Sequence, residues 1–158
     1  MNTKILFFCF FIAACLISSG CSGFKKNVYH GIYEGMDKHI SEYEEKLAAS
    51  QTPLEEAKNR AILGDFYRIK GQTLLASRPE QEEEAMGWIE NSTQMYQHIM
   101  ANFPNEYEND EFVRNKTSLG MASNLYLTGA VDEVDMYCQH LTQSIECPDV
   151  LPELKETK

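Results

Sequence analysis

Thr52-Pro53-Leu54-Glu55-Glu56-Ala57-Lys58-Asn59-Arg60-Ala61-Ile62-Leu63-Gly64-Asp65-Phe66-Tyr67 is the stretch that decides the fold class. Its first four residues form a capping box, with Thr at the cap, Glu three residues on, and Pro at the first helical position, where a missing N–H costs nothing. Ile62, Phe66 and Ile69, joined by Leu63, Tyr67 and Leu74, then form one apolar arc at helical spacing, which runs to about Ala76. Upstream, Tyr29, Tyr33, Met36, Ile40, Tyr43 and Leu47 repeat every three or four residues and predict an amphipathic helix over 28–50, which packs on its own domain or, as the alternative, seeds a coiled coil. Downstream, Ser77-Arg78-Pro79-Glu80 stops one helix and starts the next. Glu80, Glu82, Glu83 and Glu84 there suit the positive end of a helix dipole better than a calcium site. Ala85, Trp88, Ser92, Tyr96, Ile99 and Phe103 carry that helix to Pro104. A fourth helix spans about Asp110 to Thr128, with Phe112, Leu119, Met121, Ala122, Leu125 and Tyr126 as its apolar positions and Gly129 as its stop. Val131, Val134, Cys138, Leu141 and Ile145 mark a fifth, closed by Pro148. No stretch alternates with a period of two. The expected fold is all-α, about five helices arranged as antiparallel hairpins.

Length and composition limit the function. The 158 residues are one-domain size, and 43% apolar with 24% charged is ordinary for a folded chain. A net charge of −10 argues against nucleic acid, whose phosphates require a basic face. Lys4 followed by the apolar run Ile5 to Ile17 has the form of a signal peptide and is too short to span a bilayer, which takes about 20 residues.

Ser18-Ser19-Gly20-Cys21 closes that run and resembles the lipobox of bacterial lipoproteins, although Ser18 stands where the family usually has Leu. The resemblance implies cleavage before Cys21 and acylation of its sulfur and new amino group, hence a palmitate-type anchor in the membrane. Ser22, rather than Asp, follows the cysteine, which by the same resemblance implies the outer membrane, facing the periplasm. The segments then read as a signal peptide at 1–20, a lipidated tether at 21–27, a helical domain at 28–147 and a tail at 148–158. Removing the signal leaves 13 basic and 24 acidic residues. Of the five cysteines, Cys138 and Cys147 remain as a pair, either a structural disulfide or two small buried thiols. Nine residues of unbroken helix would hold them about 13 Å apart, so a bond requires the chain to turn back after Ile145.

Leu63-Gly64-x-x-Tyr67, with Ser92-x3-Tyr96 and Pro104, resembles the tetratricopeptide repeat. Arg60 replaces the consensus Trp, and the joint between the helices is about 16 residues longer than the family's. Met121-Ala122-x-x-Leu125, Gly129, Val134 and Cys138 form a second copy at family spacing, with Asp132-Glu133 between and Pro148 two positions late. Gly64 and Ala122 would admit the paired helix, and Tyr67, Leu125, Tyr96 and Cys138 would fill the seam. A plain antiparallel bundle is the alternative. Two copies are fewer than the three or so that an open solenoid needs, so the helix at 28–50 acts as a cap or the protein forms a homo-oligomer.

No catalytic constellation is present. His30, His39, His98 and His140 are scattered, and no Walker, Gly-x-Ser-x-Gly or dinucleotide motif occurs, so the reading is of a non-enzyme with no cofactor and no metal site. By the repeat resemblance, partner contacts come from the first helix of each hairpin: Lys58, Asp65 and Arg68, then Lys116, Ser123 and Tyr126. Lys58, Ala61, Asp65 and Arg68 share one helix face in any case, and a solvated face is the other reading. Proteins of this resemblance include pilotins and envelope assembly factors. The expectation is therefore an adaptor, lipid-anchored at the membrane, that binds another envelope protein. The alternative is an accessory small-ligand-binding lipoprotein of a transport system.

Overall fold

A computed structural model describes residues 31–141, and every regular element among them is helical. Helix α1 occupies residues 31–48. Helix α2, Pro53–Ser77, starts as its capping box predicts: the Thr52 side chain accepts from the Glu55 N–H at 3.2 Å. Glu55 reaches back to the Gln51 N–H at 3.0 Å, one residue earlier than an ideal box. Arg78 leaves the helical backbone before Pro79, and one 3-10 turn, Pro79–Gln81, leads into α3, Glu82–Asn102, whose first turn holds Glu82, Glu83 and Glu84.

Pro104, expected only as a stop, also opens a short helix α4, Pro104–Asn109. Proline suits the first turn of a helix as well as it ends one. Tyr107 holds α4 in place, its ring against the core and its hydroxyl 2.8 Å from Ser118 Oγ. Helix α5, Glu111–Leu127, ends at Gly129, whose φ of +82° places it in the left-handed region and lets the Ala130 N–H reach the Leu125 carbonyl at 2.9 Å. A 3-10 turn, Val131–Glu133, precedes α6, Val134–Cys138. Gln139 and His140 turn away there, so the fifth predicted helix is shorter than its apolar spacing suggested. Cys138 is disulfide-bonded. Cys147, the partner expected from the sequence, lies outside the described residues, as do Cys21, the tether and the tail.

Residue pairs set the helix directions. Gly64 faces Tyr96 and Gly71 faces Ala85 and Ile89, so α2 and α3 are antiparallel. A Cβ on Gly64 would lie 2.8 Å from Tyr96 Cε1, and one on Gly71 would lie 2.8 Å from the Ala85 carbonyl. Bare backbone is what permits this approach. Helix α5 runs antiparallel to α3, with Asn124 Nδ2 donating to Ser92 Oγ at 2.9 Å, and parallel to α2, with Lys58 on Asp110 and Lys116 on Asp65. Helix α1 packs on the α2–α3 hairpin antiparallel to α2, with Asp37 on Lys70, Glu44 on Tyr67 and the Lys46 carbonyl on Asn59.

Two apolar clusters result. Ala57, Ala61, Tyr96, Ile99, Val113 and Met121 fill the space between α2, α3 and α5. Ile40, Leu63 and Tyr67, flanked by Met36, Tyr43, Leu47, Phe66 and Trp88, join α1 to the hairpin. Each fully buried Ile or Leu adds ~1.5–3 kcal/mol to such a core. The α1 seam is also polar. Lys70, almost fully buried, pairs with Asp37 and lies 3.9 Å above the Trp88 ring, while Tyr67 donates to Glu44 at 2.8 Å.

Asp110 caps α5 by accepting from the Val113 N–H at 3.0 Å, and Lys58 Nζ sits 2.8 Å from its other oxygen. Burial pushes the Asp110 carboxyl up, but the Lys58 hydrogen bond and the backbone donors outweigh it and hold the carboxyl below its ordinary range. A depressed folded-state pKa adds stability that is present above the ordinary Asp range and is lost as pH falls through the lower folded value. Asp110→Ala should therefore cost about 1–2 kcal/mol at neutral pH, mostly through the cap, since a half-exposed ion pair adds little. Thermal melts at pH 7 and near pH 2 check this, with the gap between wild type and variant expected to close in acid.

Candidate functional site

The face predicted for partner contacts is largely the seam between α2 and α5. Asp65 is 8% exposed and organises it. Its Oδ1 accepts from Tyr96 Oη at 2.8 Å and from Arg68 Nη2 at 3.0 Å, and Lys116 Nζ donates to Oδ2 from α5. Burial works against the Arg68 charge, and the Asp65 carboxylate beside it more than restores it. The Tyr96 hydroxyl is pushed far above its ordinary value, first by burial and then by the Asp65 charge, so it remains a neutral donor. Lys58 is engaged by Asp110. Of the six residues selected from the sequence, Lys58, Asp65, Arg68 and Lys116 thus join α2 to its neighbours. Ser123 and Tyr126 are half-buried further along α5.

Helix α5 is unusual in which arc it buries. Val113, Thr117, Gly120, Met121 and Asn124 face the interior, a mostly small or polar set, because the Tyr96 ring already occupies the space opposite. Val113 and Met121 are the larger apolar groups that go in, and Phe112, Leu119 and Tyr126 lie on another arc. Phe112 is 41% exposed, and Leu119 and Tyr126 are half-buried on the same stripe, at i, i+7 and i+14. Asp110, Glu111, Phe112, Asn115, Lys116 and Leu119 line a shallow cavity of about 500 Å³. Phe112 and Leu119, expected from the sequence only as apolar positions of this helix, share a face with Lys116, Ser123 and Tyr126 at 4-3-4-3 spacing.

The arrangement sets an apolar stripe beside charges already held by intrachain partners. Among the described residues no helix is long and apolar enough to cross a membrane, and no group of three His, Cys, Asp or Glu side chains converges. No protein-family model, curated protein or solved structure matches the chain.

Proposed function

We propose that this protein is a lipid-anchored adaptor on the periplasmic face of the outer membrane, which binds another envelope protein through α5 and the adjoining edge of α2. The outward stripe of Phe112, Leu119 and Tyr126 carries the reading. Large apolar groups directed to solvent, around a cavity and beside fixed charges, are how a binding anchor is built, with the charges setting register more than affinity. The parallel pairing of α2 with α5, and of α3 antiparallel to both, agrees with two tetratricopeptide-like hairpins, and α1 covers the hairpin edge that a preceding repeat would cover. The anchor is read from Ser18-Ser19-Gly20-Cys21.

One set of variants tests both halves. Cys21→Ser should move the full-length protein from the membrane fraction to the soluble one and abolish palmitate labelling. Phe112→Ala with Tyr126→Ala should leave fractionation and melting temperature nearly unchanged and reduce capture of the envelope partner at least tenfold. Arg68 is a poor probe, because it supports Asp65. Retention of Cys21→Ser by membranes at high salt would overturn the anchor. Undiminished partner capture by the α5 double variant would overturn the surface.

A further inference from the structure

The last described residues bring the chain to the edge of the cavity that holds Phe112. Helix α6 packs on α5, with Tyr137 against the cluster of Val113 and Met121. The His140 and Leu141 amides then turn in on the Tyr137 and Cys138 carbonyls, each at 3.1 Å. The His140 ring lies 6.0 Å from that of Tyr107, whose hydroxyl meets Ser118 at 2.8 Å. Ser118 is fully buried, one helical turn from Asn115 and next in sequence to Leu119, and both of those residues line the cavity. Residues beyond Leu141 therefore start beside the apolar stripe of α5, not across the molecule from it.

Cys138 adds a covalent observation. It is disulfide-bonded, and it is the only cysteine among the described residues, so its partner lies outside them. Cys147 is the one cysteine that follows it, and Pro148-Asp149-Val150-Leu151-Pro152 comes directly after. Two prolines four residues apart oppose a helix there and favour extended chain. Val150 and Leu151 then lie within roughly 10–14 Å of Cys147, a reach that matches the ~10 Å from Phe112 to Leu119 along α5. A bond from Cys147 to Cys138 would hold this apolar pair beside the cavity.

We propose that residues 148–152 occupy the α5 cavity, so that the protein masks its own docking surface until a partner displaces the segment. Leu151 lies on Phe112 and Leu119. Asp149 meets Lys116, whose side chain is 41% exposed and has donors to spare beyond Asp65, while Lys58 already offsets Asp110 on the rim. Tethering makes a weak contact sufficient. A short linker gives an effective concentration on the order of millimolar, so a contact with a Kd of about 1 mM is half filled. The consequence for function rests on the adaptor reading, but the contact itself can be tested with no partner present, so either can fail alone.

Hydroxyl-radical footprinting of the full-length protein is that test. Phe112 and Leu54 are 41% and 39% exposed, so Leu54 serves as the internal reference. With the segment in place, Phe112 should label about threefold less than Leu54 after correction for intrinsic reactivity. Val150→Ser with Leu151→Ser keeps the net charge and should raise Phe112 labelling to the Leu54 level, with Leu54 itself unchanged. Cys147→Ser should raise it part of the way. Phe112 labelling that stays at the wild-type level in either variant would overturn the contact. Protection that is lost on dilution would also overturn it and assign the groove to a second copy. Wild-type Phe112 labelling as strong as that of Leu54 would overturn it too, leaving the groove open for a partner alone.

Discussion

Gly120→Ala is expected to destabilise the protein by about 2–4 kcal/mol, near the upper end for overpacking a core. In an exposed helix the same change stabilises by roughly 1 kcal/mol, so here the sign depends on the neighbour. A Cβ on Gly120 would lie 2.1 Å from Tyr96 Cζ and 2.4 Å from its hydroxyl oxygen. The ring cannot yield. It is fully buried, Gly64 of α2 closes on its other edge, and Asp65 holds its hydroxyl. Helix α5 would have to back away from α3, stretching the Lys116–Asp65 and Asn124–Ser92 contacts together. Urea unfolding measures the loss. Tyr96→Leu in the same chain should recover part of it, giving a coupling above about 1 kcal/mol, as expected for touching residues. A Gly120→Ala protein as stable as wild type would contradict the packing of α5 on Tyr96.

Asp65→Ala should cost about 2–4 kcal/mol, somewhat below the usual loss for breaking a buried ion pair, because Lys116 can turn its ammonium into solvent. Arg68 and Tyr96 have no such exit. Arg68 Nε is already buried without a partner, and the Tyr96 hydroxyl would be left as a second stranded donor in the core. Asp65→Asn keeps the volume and one acceptor but turns an amide toward a cation, so its loss should be intermediate. Guanidinium melts of the two variants, read with Lys116→Met, separate the parts: Lys116→Met should cost least, since its side chain is 41% exposed. Equal losses from all three would mean that charge pairing between α2 and α5, rather than burial around Tyr96, is the dominant element.

How much of this could be read beforehand follows from the range over which each signal acts. Thr52, Asp110 and Gly129 end or begin helices through hydrogen bonds to residues within four positions, and a local sequence contains all the atoms involved. Pro104 was legible as a boundary but not as a start, because the same ring serves both and the choice depends on Tyr107 finding Ser118. The α1 stripe announced a buried face, and the tertiary structure only named its partners. The candidate site was legible in part. Lys116, Ser123 and Tyr126 came from the resemblance to the repeat family, whereas Phe112 and Leu119 on the same face of α5 were legible only as apolar positions, because hydrophobicity alone does not say which arc of a helix turns inward.

The sequence by itself determined an all-helical chain, its caps and breaks, and one close-approach glycine, Gly64. Those properties arise from backbone geometry and side chains one turn apart. Packing between helices settled that Gly120 meets Tyr96, that Asp65 answers Lys116 across 51 positions of sequence, and that α5 turns Val113 and Met121 inward and leaves Phe112 on its outer arc. A helix with two apolar arcs can turn either inward. Which one goes in is set by the volume already occupied on the neighbouring helix, and here the Tyr96 ring leaves room for glycine and none for phenylalanine.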